Sequence, residues 1–399
     1  MKTVYYEPAG RVQNAQWDLI NYPPRGYQFT TKTKKGLLDK IVDNSFMFNS
    51  FRLQVLDKAL PLNLVKAALT TTTPKGTDMI YSYNHIVTER TPKTPWVVQV
   101  EWPHILIGRE PYWVSQRFLR KVEERLLGSN CKKIFTWTQA AKEALRMYPH
   151  GGVLQAKTEV IPPAMSSKPN IERTYNKKII NLLFVGSIND IHDFELKGGL
   201  EVMEATYALK ENYKKIKGGY KIHLTIRARV PRYLKEEASK GHTMEILDQQ
   251  ISKEKLDSLY READIFVFPS HLAHNHTPLE AMSYGLPVVT TYIGSTFGEY
   301  VEDGKTGLVG SPLESTVKYF TKGGLLRSET TERLQMVKEA RNPNYTTVEF
   351  LIKSMSKLIE DPELRKEMGE AGRKEIDEGR FSIKGRNEKL KKIFDEVLR

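Results

Sequence analysis

Residues 265–309 read IFVFPSHLAHNHTPLEAMSYGLPVVTTYIGSTFGEYVEDGKTGLV. Ile265 to Phe268 is a continuous apolar run before Pro269, as expected of a strand buried on both faces. Thr277-Pro278-Leu279-Glu280 predicts a helix start: Thr277 is a good N-cap, Pro278 is tolerated at the first helical position, and Glu280 falls three residues after the cap. Gly285 ends that helix, and Leu286-Pro287-Val288-Val289 enters a second buried strand. A strand that opens onto a helix N-terminus presents backbone N–H groups and the positive end of the helix dipole, an arrangement that binds phosphate.

The ordered set Pro269-Ser270, Glu280-Ala281-Met282, Gly285-Leu286-Pro287-Val288-Val289 and Asp303-Gly304-Lys305-Thr306-Gly307-Leu308 resembles the signature of retaining nucleotide-sugar glycosyltransferases of family four, also called group 1. That resemblance implies an α/β chain of the GT-B fold, two Rossmann-like doubly wound domains facing a cleft. The family signature carries a pair of glutamates eight residues apart. Here the position eight before Glu280 is Leu272, so the first of the pair is absent.

A chain of 399 residues exceeds one ordinary core, so two domains are expected. No run approaches the roughly 18 apolar residues of a membrane-spanning helix, and the first residues, MKTVYYEPAGR, lack a secretory apolar core. One cysteine, Cys131, excludes an internal disulfide and a cysteine zinc site. A cytoplasmic location is expected, extending to the inner face of the membrane. Of the net charge of +13, residues 1–175 carry +11 and residues 176–399 carry +2. Such a basic first half suits either a plain soluble surface or an anionic partner: a membrane surface, a phosphorylated acceptor or nucleic acid. No base-stacking motif supports nucleic acid, and none is expected as a partner. Residues 112–127, with Arg117, Arg120, Lys121 and Arg125 among Trp113 and Phe118, suit either membrane contact or the covered side of an α/β layer, which is preferred.

Taken in order, Thr3–Tyr6, Met79–Ser82, Trp96–Val100, Ile134–Trp137 and Glu159–Ile161 are strand candidates, with an irregular stretch from Gly10 to Gly26 and a mostly helical stretch over 37–69. Alternation of strands and helices implies parallel sheets, with ligands at the carboxyl ends of the strands. Pro162–Asn176 is polar and proline-containing and reads as the linker. A second α/β unit runs from Ile179, with strands at Ile179–Val185, His223–Ile226, Met244–Leu247, Ile265–Phe268, Val288–Thr290 and Gly307–Val309. The expected division is an acceptor domain over 1–173, a nucleotide-sugar donor domain over 174–383, and a final helix, 384–399, that by resemblance crosses back to the first domain.

By resemblance, Glu280 accepts hydrogen bonds from the two ribose hydroxyls, whereas its local alternative is a capping-box contact to the Thr277 N–H. Thr277, Leu279 and the adjoining backbone would face the diphosphate. The family places an Arg after the first glycine of this domain, but here Gly186 is followed by Ser187. Lys197 keeps the family's Lys-Gly element after an insert over 188–196 and is the leading cationic candidate, against the alternative of a solvated lysine. Arg227, closing the next strand, is the candidate replacement for the missing Arg. His271, His274 and His276 invite a metal, but no carboxylate stands among them. The preferred reading puts His274, Asn275 and His276 at the donor sugar, standing in for the lost glutamate, with no metal site. The absence of an Asp-x-Asp pair points to a metal-independent reaction. In the first domain, Glu101 and His104 follow the strand ending at Val100, near where the family often has a His. They are assigned to the catalytic side, against a structural ion pair for Glu101 and a surface position for His104.

The expected function is transfer of a sugar from a nucleotide-diphosphate sugar to a glycan, lipid-linked or protein acceptor, with retention and without a cofactor. The alternative is a non-catalytic relative that binds nucleotide or glycan as a partner subunit.

Overall fold

A computed structural model describes residues 1–8, 14–31, 73–87, 94–107, 116–169, 171–189, 192–215, 219–239, 244–271, 276–292, 297–311 and 331–399. The helix expected over 37–69 lies outside them, as do Gly10, Leu272, His274 and Asn275. The chain forms two compact units. Among the described residues the first comprises parts of Met1–Ala164 with Ile383–Arg399, and the second parts of Met165–Tyr319 with Thr330–Ser382.

The first unit contains β1 (Lys2–Pro8), β2 (Tyr27–Thr31), β3 (Met79–Tyr83), β4 (Trp96–Val100), β5 (Cys131–Thr136) and β6 (Thr158–Val160). They form one sheet in the order β2-β1-β3-β4-β5-β6, every pairing parallel. The order reverses between β1 and β3, which makes the carboxyl ends of those strands the switch point where α/β sheets take ligands. All five residues of β4 are buried, as expected of a central parallel strand, and its one polar residue, Gln99, accepts from the Tyr81 hydroxyl at 2.6 Å. One face packs Ile80, Val98 and Ile134 under Leu119, Val122 and Leu126 of the Gln116–Leu127 helix. Arg120 and Lys121 of that helix are exposed, so it is a covering helix with a charged outer side. The other face packs Tyr6, Tyr81 and Phe135 against Leu390, Ile393 and Phe394 of the Ile383–Val397 helix.

Part of the stretch read as irregular is ordered. Asn14–Asn21 is a helix whose Leu19 is buried, and Tyr27–Thr31 pairs in register with Lys2–Tyr6 as the edge strand. Two short helices, Gln139–Ala144 and Gly151–Ala156, follow β5, the first capped by the Thr138 hydroxyl accepting from the Ala141 N–H at 3.1 Å.

The second unit holds β7 (Ile179–Val185), β8 (Lys221–Arg227), β9 (Met244–Ile246), β10 (Ile265–Phe268), β11 (Val288–Thr291) and β12 (Gly307–Gly310). Their order is β12-β11-β10-β7-β8-β9, again parallel throughout. This is the doubly wound dinucleotide-fold order, with its reversal between β7 and β10. Both units are Rossmann-like, and the architecture is GT-B.

Candidate functional site

The carboxyl ends of β7, β8 and β10 assemble most of the residues singled out in the second unit. After β7 the chain is pinned on both sides. The Gly186 N–H donates to the Arg227 carbonyl at 2.9 Å, and the Arg229 N–H donates to the Ser187 carbonyl at 3.0 Å. Arg227 returns the contact through Nη1, which donates to the Gly186 carbonyl at 3.0 Å, while its Nε is buried with no hydrogen-bond partner. The Ser187 N–H is held by Asp193 Oδ2 at 2.8 Å. The insert over 188–196 therefore carries an internal anchor, Asp193, that the spacing of glycines and lysines gave no reason to single out.

Lys197 follows the buried turn Asp193–Leu196 and is itself only 5% exposed, which removes the solvated-lysine reading. Its Nζ lies 5.9 Å from the centroid of Phe268 at the end of β10. Gly198 takes φ +77°, and a Cβ there would stand 2.0 Å from the Pro269 carbonyl oxygen. Only glycine allows the chain to turn this tightly against β10. The His271 N–H also donates to the Leu196 carbonyl at 2.9 Å. The His271 ring is buried, with Nε2 3.2 Å from Glu201 Oε1. His271 thus belongs to a buried pair, and among the described residues no His, Cys, Asp and Glu group is arranged to hold a metal ion.

The helix of the signature spans Thr277–Ser283, one residue earlier than expected. The His276 carbonyl accepts from the Glu280 N–H at 2.9 Å, so His276 is the N-cap, Thr277 the first helical residue and Pro278 the second. This shift changes two roles. The Glu280 N–H is committed to the helix, leaving the Thr277 and Leu279 N–H groups as the first-turn donors outside the helical ladder. Glu280 is also the fourth helical residue rather than the third, so a capping box is not its role. Leu279 is fully buried, so its side chain is a core contact. At the other end the Gly285 N–H reaches the Met282 carbonyl at 2.9 Å and the Leu286 N–H the Ala281 carbonyl at 3.1 Å. With Gly285 at φ +70°, this is the Schellman closure expected of a glycine stop.

Glu280 Oε2 accepts from the Tyr260 hydroxyl at 3.3 Å. Desolvation pushes its carboxyl above the usual carboxylate range, opposed by the positive charge of Lys168, the Tyr260 hydrogen bond and Arg227. Tyr260 lies in a stack with Tyr284, ring centroids 5.0 Å apart, and the sequence offered no signal for that pair. His276 is half-buried, its ring near-parallel to Tyr300 at 6.3 Å, and desolvation pulls its imidazole down to about 4. It is a neutral ring at neutral pH. His274 and Asn275 lie outside the described residues.

In the first unit, Glu101 leaves the end of β4 and joins the exit of β3. Its Oε2 accepts from the Tyr83 hydroxyl at 2.9 Å and from Asn84 Nδ2 at 3.2 Å, and its N–H donates to Asn84 Oδ1 at 2.8 Å. Asn84 holds φ 59°, alone among the described non-glycine residues in that region, where an Asn is better tolerated than most. His104 belongs to the short 3₁₀ turn Pro103–Ile107, and its side chain lies outside the described residues. A second histidine, missed in the sequence, sits next to this corner. His85 is buried, with Nδ1 3.0 Å from the Tyr83 carbonyl and Nε2 3.4 Å from Glu7 Oε2, so the ring sits between the ends of β1 and β3.

Residues 180–319 match the model of the glycosyl transferases group 1 family. That match lies within the second unit and covers about a third of the chain. No curated protein sequence matches the chain. Among solved structures, the chain resembles WaaG, a glycosyltransferase involved in lipopolysaccharide biosynthesis, at 16% identity and TM-score 0.51, covering 98% of this chain and 99% of that one. It resembles the E. coli trehalose-6-phosphate protein bound with UDP-2-fluoro glucose at 12% identity and TM-score 0.56, covering 100% and 99%. It also resembles the pneumococcal O-GlcNAc transferase GtfA in complex with UDP and GlcNAc, at 14% identity and TM-score 0.51, covering 80% of this chain and spanning only 57% of that one. At these identities the likeness speaks for the fold.

Proposed function

We propose that the protein is a glycosyltransferase that takes a nucleotide-diphosphate sugar as donor and a glycan, lipid-linked or protein hydroxyl as acceptor. The observation that carries this reading is the group 1 match over 180–319, which contains both Glu280 and the Gly186–Arg227 corner. In it, Glu280 accepts the ribose hydroxyls while the Thr277 and Leu279 N–H groups, Lys197 and Arg227 face the diphosphate. Ser187 contributes its hydroxyl rather than its N–H, which Asp193 already holds. His276, a neutral donor or acceptor, lies on the sugar side with His274 and Asn275, and Glu101 and His104 serve the acceptor in the first unit.

The reaction proposed is transfer with retention and without a metal. The bond from the anomeric carbon to the diphosphate breaks, the acceptor oxygen bonds to that carbon on the same face, and its proton passes to the departing diphosphate. The protein's contribution is positioning and stabilisation of the charge that develops on the leaving group. Incubation with a panel of nucleotide sugars, reading released nucleoside diphosphate, tests the proposal; absence of both binding and turnover with every donor overturns it.

The Leu272 departure favours a second reading, a partner subunit that binds nucleotide without transfer. It predicts a nucleoside-diphosphate-dependent rise in melting temperature with no turnover, and a gain of activity in Leu272→Glu points back to an enzyme. Attraction of the basic first half to an anionic membrane completes the proposal, alongside the fact that no described helix is long and apolar enough to span one. Sedimentation with phosphatidylserine vesicles, compared with phosphatidylcholine vesicles, tests it.

A further inference from the structure

Tyr260 is fully buried on the Lys253–Glu262 helix, and its hydroxyl donates to Glu280 Oε2 at 3.3 Å. Its ring is clamped. It lies nearly parallel to Tyr284, with centroids 5.0 Å apart and 7° between the planes, and Phe266 of β10 stacks on it at 6.0 Å. One guanidinium ties both tyrosine backbones: Arg173 Nη2 donates to the Tyr260 carbonyl at 3.1 Å and to the Tyr284 carbonyl at 3.0 Å. The Tyr284 hydroxyl donates in turn to Asp257 Oδ1, which lies 3.7 Å from Lys168 Nζ. Core filling accounts for the Tyr260 ring but not for its hydroxyl, a polar group that costs free energy to bury. Burial, reinforced by the Glu280 charge, pushes the phenol well above its ordinary value, so the proton stays on the tyrosine and the bond runs one way.

Glu280 itself is half-buried rather than sealed in. An ionised carboxylate has about four acceptor sites, so a single bond from the interior leaves capacity for a ligand. We propose that Tyr260 is a positioning residue that fixes the Glu280 carboxylate to accept both hydroxyls of a ribose, and so sets a preference for ribonucleotide over 2′-deoxyribonucleotide donors. The inference rests on the assignment of Glu280 to the ribose. A site built to pair a hydroxyl rejects a ligand that lacks it, but only while the acceptor is held. The terminal torsion of a glutamate is soft, and without the phenol the carboxylate turns. At 3.3 Å the bond is long for a phenol and a carboxylate, and such contacts tighten when a ligand arrives.

Calorimetric titration of the full chain with UDP, GDP and ADP, each beside its 2′-deoxy counterpart, tests this. The wild type is expected to favour the ribonucleotide by about tenfold or more, the worth of a hydrogen bond to a charged group. In Tyr260→Phe that ratio is expected to fall by about threefold or more, through weaker ribonucleotide binding with the 2′-deoxy affinity unchanged. In a Glu280→Gln background the same change is expected to add nothing. A tyrosine with a merely structural role would weaken both nucleotides alike. An unmoved ratio in Tyr260→Phe therefore overturns the inference, while the wild-type preference still supports the ribose seat. A wild type that binds no nucleotide, or binds without preferring the ribonucleotide, overturns the Glu280 assignment and the inference with it. If Tyr260→Phe does not fold, a crystal structure of the wild type with the tightest-binding diphosphate decides. The Tyr260 hydroxyl is expected within hydrogen-bond distance of the Glu280 carboxylate that holds the ribose, and a hydroxyl turned away from it overturns the inference.

Discussion

Glu280 shows what a single side chain's surroundings add to its place in a motif. Its carboxylate is desolvated yet stands near Lys168 and Arg227, and it carries no helix-capping duty. Loss of the charge in Glu280→Gln is therefore expected to weaken donor binding about 10- to 100-fold, the worth of hydrogen bonds to a charged group. The melting temperature should move little, and titration of nucleoside diphosphate checks both. His276 gives a pH signature. Desolvation lowers its folded value to about 4, against 6.5 for a free imidazole. Between those two values the unfolded chain holds a proton that the folded chain does not. Stability is thus complete above pH 6.5 and falls as the pH drops toward 4, by about 2 kcal/mol for a half-buried ring. His276→Gln is expected to flatten that part of the pH–stability curve in urea unfolding. At this scale the sequence exposed residue types but not their neighbours. Glu280 and Lys197 stood out by motif, but the burial of Lys197, the Asp193 anchor and the Tyr260–Tyr284 stack depend on chain segments that meet only in the fold.

Strands and turns were far more legible. β10 and β11 are fully buried runs bounded by Pro269, Pro287 and Gly285, and that patterning survives any error in locating partners. The edge strand β2 and the Asn14–Asn21 helix escaped notice because each offers few buried positions, so neither shows a clean period. The start of the Thr277–Ser283 helix moved by one residue because the His276 carbonyl supplies the first acceptor, and no residue preference signals that. Two glycines allow a graded test of turn strain. Both have positive φ, but a Cβ at Gly285 would meet nothing closer than 3.7 Å, whereas one at Gly198 would run into Pro269. Gly285→Ala is expected to cost about 1 kcal/mol from backbone conformation alone. Gly198→Ala should cost at least twice as much, about 2 kcal/mol or more, because β10 must also give way. Midpoints of urea unfolding rank the two; equal losses would refute the close-approach argument.

Over the whole molecule, alternation of strands and helices pointed to parallel sheets, and the strand orders with their two switch points are those of a GT-B protein. The identity of each sheet neighbour was not readable, because a strand's sequence records burial rather than which strand lies beside it. The Ile383–Val397 helix joins the first sheet across nearly the full length of the chain, and Phe394 is its fully buried centre, in contact with the Tyr27 ring at 5.1 Å. Phe394→Ala is expected to destabilise the first unit by about 3–5 kcal/mol, seen as an early unfolding transition by tryptophan fluorescence while the second unit keeps its own melting temperature.

That same packing bears on how the protein is made. A ribosome delivers β1 through β6 long before it delivers Phe394, so Tyr6, Tyr81 and Phe135 spend most of translation without their cover. The strands of the second unit emerge meanwhile and have every sheet partner at hand. The part synthesised first is thus the part that matures last, and its uncovered aromatic face is where a nascent-chain chaperone would find purchase.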